Sequence, residues 1–209
     1  MNVKGFGSFT FPVCILITLV LLDNCSGQVI IKFGRCPRVT VKDAFDASRY
    51  IGLWYELERF PNFFELNQVC VTATYGDAGD GVVSVKNVGV LEFSLFGILF
   101  VFPVSIEGQA VAPDPAEPAR LRVSFFGDDE GADANYLVVD TDYDSYSVVF
   151  SCQELFGIIN MQTAWILTRG QGTVPANIDD LKSTLTSFGI DVSDFQETRQ
   201  TNCPSRSRK

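Results

Sequence analysis

The stretch Tyr50-Ile51-Gly52-Leu53-Trp54-Tyr55-Glu56-Leu57-Glu58-Arg59-Phe60, closed by Pro61, decides how this chain is read. Ile51, Leu53, Tyr55 and Leu57 fall on one face of a two-residue period, with Trp54, Glu56 and Glu58 on the other. The segment therefore predicts a strand entered through a glycine. A large indole just past that glycine, at the head of the first strand, is what a closed antiparallel barrel needs to plug one end.

Upstream of this strand, Lys4, the apolar run 11–22 and the small residues Cys25-Ser26-Gly27 make residues 1–27 a secretory signal peptide by pattern, too short and too early to span a bilayer. Asp23 and Asn24 fit a lipoprotein signal poorly. Cleavage before Gln28 leaves 28–209 as a single secreted, extracellular domain, whose basic end 204–209 reads as a frayed tail. With 209 residues, 46% of them hydrophobic, the chain is long enough for one sizeable core. The net charge of −9 is unchanged by removing Lys4 and Asp23, and it argues against nucleic acid or anionic membranes as partners.

The chain has no histidine. That rules out Ser-His-Asp and Cys-His catalysis, histidine-ligated haem and an ordinary zinc enzyme. Cys36, Cys70, Cys152 and Cys203 remain after the leader. An even number in an exported chain reads as two disulfides in any of three connectivities, and with no Cys-x-x-Cys pair no metal site is expected.

Downstream, 68–75 and 82–87 alternate as strands around the turn Gly76-Asp77-Ala78-Gly79-Asp80-Gly81. Five more follow at 104–112, 120–126, 136–140, 146–152 and 162–169. Eight short strands separated by turn signals favour an antiparallel barrel or sandwich. One helix pattern appears late: Ile178, Leu181, Leu185 and Phe188 form a stripe, Pro175 stands near its start, and Gly189 occupies the place of a left-handed cap.

Laid out this way, the chain resembles a lipocalin, and within that family the apolipoprotein D, insect bilin-binding protein and Lazarillo group. The resemblance rests on Gly52-Leu53-Trp54-Tyr55-Glu56, Thr141-Asp142-Tyr143 and Arg169 at the end of Trp165-Ile166-Leu167-Thr168-Arg169. Gly34-Arg35-Cys36-Pro37, 146–152 and Asn202-Cys203-Pro204 add to it. It implies an all-β, eight-stranded up-and-down barrel with one C-terminal α-helix outside. Arg169 would lie against Trp54 at the closed end. It further implies pairing of Cys36 with Cys152 and of Cys70 with Cys203.

The same resemblance implies no enzyme and no required cofactor, but a carrier holding one small hydrophobic ligand non-covalently: a fatty acid, steroid, retinoid, carotenoid or bilin. Carried over by position, the pocket residues are Tyr75, Asn87, Phe125 and Trp165, with Tyr136 and Tyr146 as weaker additions. An alternative of another class is a carotenoid- or biliverdin-binding subunit of a coloured oligomer. The largest departure from the group is the apolar stretch 91–102, expected as an open-end loop. Phe93, Leu95, Phe96, Ile98, Leu99, Phe100 and Phe102 there would meet a membrane, a lipoprotein or a second copy, or fold over the barrel mouth; the plainer alternative is that the stretch lengthens two strands and buries itself. The segment 155–159 adds to that apolar rim. The acidic loop 127–133 lacks the ligand spacing of a calcium loop and reads as solvated.

Overall fold

The computed structural model describes residues 29–127 and 133–204. The expected leader, the middle of the acidic loop and the basic tail from 205 onward lie outside them. Ten strands form one sheet: β1 (Ile30–Phe33), β2 (Gly52–Arg59), β3 (Gln68–Asp77), β4 (Val83–Leu95), β5 (Ile98–Val111), β6 (Arg120–Ser124), β7 (Tyr136–Thr141), β8 (Tyr146–Leu155), β9 (Ile159–Thr168) and β10 (Gln196–Glu197). From β2 to β9 every strand pairs antiparallel with its sequence neighbour, and β9 pairs back onto β2. That last pairing closes an eight-stranded barrel and removes its free edges.

β1 extends the sheet along the upper half of β9, and β10 along the end of β2. A short helix α1 (Ala47–Tyr50) delivers the chain to β2, its first turn capped by Asp46, whose carboxylate accepts from the Ser48 amide. The late helix α2 (Ile178–Ser187) ends at Gly189 with φ of +79°, the left-handed stop its sequence predicts.

Two apolar layers share one wall. Inside the barrel pack Trp54, Tyr75, Val85, Leu121, Val138, Val149 and Leu167. Outside it, Val148, Phe150 and Ala164 alternate with these and meet Leu181 and Leu185 of α2. Two crosslinks tie the additions down, Cys36–Cys152 for the lead-in and Cys70–Cys203 for the C-terminal segment, with the pairing the resemblance implies. Each closes a loop of more than a hundred residues, for which chain entropy gives up to about 4–5 kcal/mol.

The stretch 91–102 is not a loop. β4 and β5 stay hydrogen-bonded in register from Val83↔Ala110 to Leu95↔Ile98, so the hairpin simply runs on past the barrel. Its turn is Phe96-Gly97, with φ of 52° and 78°. That is the geometry of a tight hairpin turn, which Asn-Gly usually supplies; with Phe at its first position the turn has no sequence signal.

Candidate ligand-binding site

Because the strands alternate in direction, the connections 60–67, 96–97 and 156–158 and the facing ends of β6 and β7 share one end of the barrel, and 78–82, 112–119 and 142–145 the other. The second end is shut. The Arg169 guanidinium lies 3.8 Å from the Trp54 ring centroid, an arrangement worth about 0.5–2 kcal/mol. It donates to the carbonyls of Leu53, Arg49, Tyr50, Ile51 and Tyr143, while the Trp54 indole donates to the Tyr50 carbonyl at 2.9 Å. Gly52 makes this possible: its φ is +107°, and a Cβ there would sit 3.1 Å from the guanidinium. Thr141, Asp142 and Tyr143 build the adjoining turn. Asp142 Oδ1 accepts from the amides of Asp144, Ser145 and Tyr146, and Thr141 Oγ1 accepts from the amide of Tyr143, whose φ is 71°.

Above the indole lies a floor of three tyrosines. The Tyr136 hydroxyl is 2.7 Å from that of Tyr75 and 3.2 Å from that of Tyr50, which also meets Ser147 Oγ at 2.8 Å. Burial pushes the Tyr50 phenol up to about 12 and raises Tyr75 and Tyr136 as well. The cluster stays protonated at neutral pH and serves as a hydrogen-bonded base rather than a charge.

Higher up, the inward face opens. Along β9 the inward residues Ile159, Met161, Thr163 and Trp165 are half-buried, whereas their outward neighbours Asn160, Gln162, Ala164 and Ile166 are buried. The outer face is covered by the C-terminal helix, and a filled barrel would bury the inner face as well, so the half-burial of these inward side chains marks this half of the interior as open to solvent. Asn87 faces inward two residues beyond Val85, and its Oδ1 is buried with no hydrogen-bond partner among the described residues. Phe125 and Trp165 pack on the inner layer, and Trp165 stacks with Tyr136 at 6.2 Å between centroids. A Cβ on Gly108 would meet Phe125 at 2.7 Å and the Ser124 carbonyl at 2.2 Å, so that glycine lets β6 close down on the lumen.

Of the positions carried over for the pocket, Asn87, Phe125, Tyr136 and Trp165 are brought together around this space, with Tyr75 in its floor. Tyr146 is not. It shares the parity of Val148 and Phe150, packs outside the wall, and donates to Asp140 Oδ2 at 2.8 Å. The carry-over by position from the family pattern therefore misplaces it, and since both faces of β8 are apolar the sequence offers no polarity contrast to correct it.

A polar seam unforeseen from the sequence lies beside the lumen. β2 and β3 pair only from Gly52 to Tyr55, and beyond that residues 196–200 fill the gap. The Gln200 amide there bridges the carbonyls of Glu56 and Val71 at 2.8 Å each. A bulge between Glu56 and Glu58 shifts parity, so Glu56 and Arg59 both lie opposite inward residues. Glu58 instead turns outward, 2.7 Å from Lys182 on α2. Arg59 donates to Glu56, to Thr198 Oγ1 at 2.9 Å and to the carbonyls of Glu65 and Gln68. Glu65, in the 60–67 connection, accepts from the Trp165 indole at 3.1 Å. Burial, with the Glu65 charge behind it, pushes the Glu56 carboxyl up to about 8 against the pull of Arg59.

The open end bears the exposed aromatic side chains. Phe96 is 94% exposed, Phe126 91% and Phe156 93%. Leu95-Phe96-Gly97-Ile98 and Leu155-Phe156-Gly157-Ile158 are the same tetrapeptide at two hairpin tips, and both phenylalanines hold positive φ.

A solvent-accessible interior over a sealed, cation-capped base is the architecture of a binding barrel. The Lipocalin-like domain family matches residues 45–200, and the chain belongs to the lipocalin family. Mouse (Mus musculus) apolipoprotein D is 36% identical over 184 residues, covering 88% of this chain and 92% of that one. The Lazarillo protein of Schistocerca americana is 27% identical over 185 residues, with 87% and 81% covered. Among solved structures, insecticyanin from the tobacco hornworm Manduca sexta matches with a TM-score of 0.66 at 25% identity, covering 84% of this chain and 91% of that one. Lipocalins are binding and transport proteins rather than enzymes, and this chain is a carrier of that kind.

Proposed function

We propose that the protein is a secreted carrier that takes one small hydrophobic molecule non-covalently into the upper half of the barrel. The observation that carries this is the inner face of β9, whose side chains stay half-open to solvent inside a closed barrel. Phe125, Tyr136 and Trp165 offer flat apolar walls, and Asn87 one amide for a polar group on the ligand, such as a hydroxyl or carbonyl. A fatty acid, steroid, retinoid, carotenoid or bilin has the required shape of a largely hydrocarbon body with a polar end. Native mass spectrometry of the secreted protein tests the reading: a bound apolar molecule, displaced by added ligand, is expected. A barrel that is empty and refuses every member of this series overturns it.

The rim supports a second element of the same function, contact with a lipid surface during loading or release. A left-handed conformation costs an L-residue about 1–2 kcal/mol, so Phe is an expensive choice at either tip and Asn the ordinary one. Isolated aromatic prongs around a concave mouth suit a deformable lipid phase better than a rigid partner. With a net charge of −9, a zwitterionic or neutral surface is the fitting one. Flotation with phosphatidylcholine vesicles is the check, and sedimentation showing pairing through the tips in place of flotation would replace lipid by a second copy.

A further inference from the structure

We infer that the inner face of the projecting β4–β5 hairpin is an outer subsite for the far end of an elongated apolar ligand whose near end sits in the lumen. The inference rests on the carrier reading above and adds ligand length to it.

Parity carries the argument. Asn87 and Ile106 are paired and inward-facing, and the register continues without a bulge through Leu91↔Phe102 and Phe93↔Phe100. The same face that lines the lumen therefore emerges from the barrel as a file of phenylalanines. Phe93 lies 5.2 Å from Phe100 and 6.1 Å from Phe102, and Phe100 lies 6.4 Å from Phe102, with ring planes within 22° of one another. Phe93 is 37% exposed and Phe102 48% exposed, so the rings pack on one another and remain partly open to solvent. The opposite face of the hairpin behaves differently: Glu92 points outward to Arg199, an ion pair that anchors the hairpin to the C-terminal segment.

From Asn87 to Phe93 the strand climbs about 20 Å at 3.4 Å per residue, and to Leu95 about 27 Å. A ligand seated at Asn87 and no longer than the barrel is deep would leave the file untouched. A longer thread-like one would lay its tail along it. Continuity with the lumen is what selects this occupant over a separate partner.

Straight-chain primary alcohols of increasing length test it, because only length changes along the series. In the wild-type protein, affinity should climb about fourfold per methylene past the length that fills the lumen. The F93S/F100S/F102S variant should match wild type for short alcohols and stop climbing once the chain reaches the rim. Equal short-chain affinity shows that the variant is folded with its lumen intact, and single Phe→Ala changes, each giving a smaller loss confined to long chains, guard against a collapsed hairpin. Wild-type and variant curves that level off at the same length overturn the inference while leaving the carrier reading standing. Failure of every alcohol to bind removes the carrier reading and this one with it. Long alcohols that bind only by dissociating a dimer assign the file to a second copy and also overturn it.

Discussion

The two ends of this barrel are made from the same strands and obey opposite rules. At the closed end the buried polar groups are paired: the Arg169 donors find five carbonyls, and the indole N–H of a tryptophan with no exposed surface shares one of them, that of Tyr50. At the open end the strands carry apolar side chains with no cover, and the interior behind them is half-exposed. One end converts sequence into stability, and the other withholds stability so that something else can bind. Substitutions should therefore separate cleanly by end.

The largest expected effect is at the closed end. Trp54→Ala should cost about 3–5 kcal/mol, since it opens a cavity under fully buried walls. Arg169→Ala should cost less, about 2–3 kcal/mol, because the guanidinium is partly open to solvent and water can take over some of the carbonyls. Urea unfolding measures both. Trp54→Ala falling below 1 kcal/mol would show that the indole does not seal the base.

That end was also the more legible from sequence, for a physical reason. Its parts are short contiguous motifs, Gly52-x-Trp54, Thr141-Asp142-Tyr143 and the strand-ending Arg169, each recognisable in the sequence, and the family resemblance supplied the long-range contact between Arg169 and Trp54. The seam was not legible because it depends on a bulge. Strict alternation assigns Glu58 to the face of Trp54, whereas one extra residue at Leu57 sends Glu58 out to Lys182 and leaves Glu56 and Arg59 inside. Thr198, which completes the network, comes from 142 residues away. Tyr146 was carried over by position from the family pattern, and a strand apolar on both faces offers no polarity contrast that would have corrected it. The hairpin failed because a Phe-Gly turn does not look like a turn.

The seam gives a prediction of intermediate size. Glu56 has a folded value of about 8 against an ordinary 4.5, so between these limits the folded state holds a proton that the unfolded chain releases. Its contribution to stability is fully present below pH 4.5 and is lost as pH rises through about 8. The urea midpoint should therefore be lower at pH 9 than at pH 6. Glu56→Gln, which can keep a hydrogen bond to Thr198, should flatten that difference. A wild-type midpoint that stays flat across this range would mean that Arg59 holds Glu56 ionised throughout.

The smallest effect on stability belongs to the open end, and its sign is the informative part. If Phe96 and Phe156 were ordinary turn residues, replacing them should harm their hairpins. If they are held in the left-handed region for display, Phe96→Asn and Phe156→Asn relieve the backbone and should stabilise by up to about 1 kcal/mol each. The same pair should lose flotation with phosphatidylcholine vesicles while binding ligand in the lumen as before. Gain of stability with loss of lipid contact is a trade that a folding role cannot produce, because a residue selected for folding does not make its own turn worse. Loss of stability with flotation intact would place the tips on the structural side of the comparison and leave the mouth without its anchor.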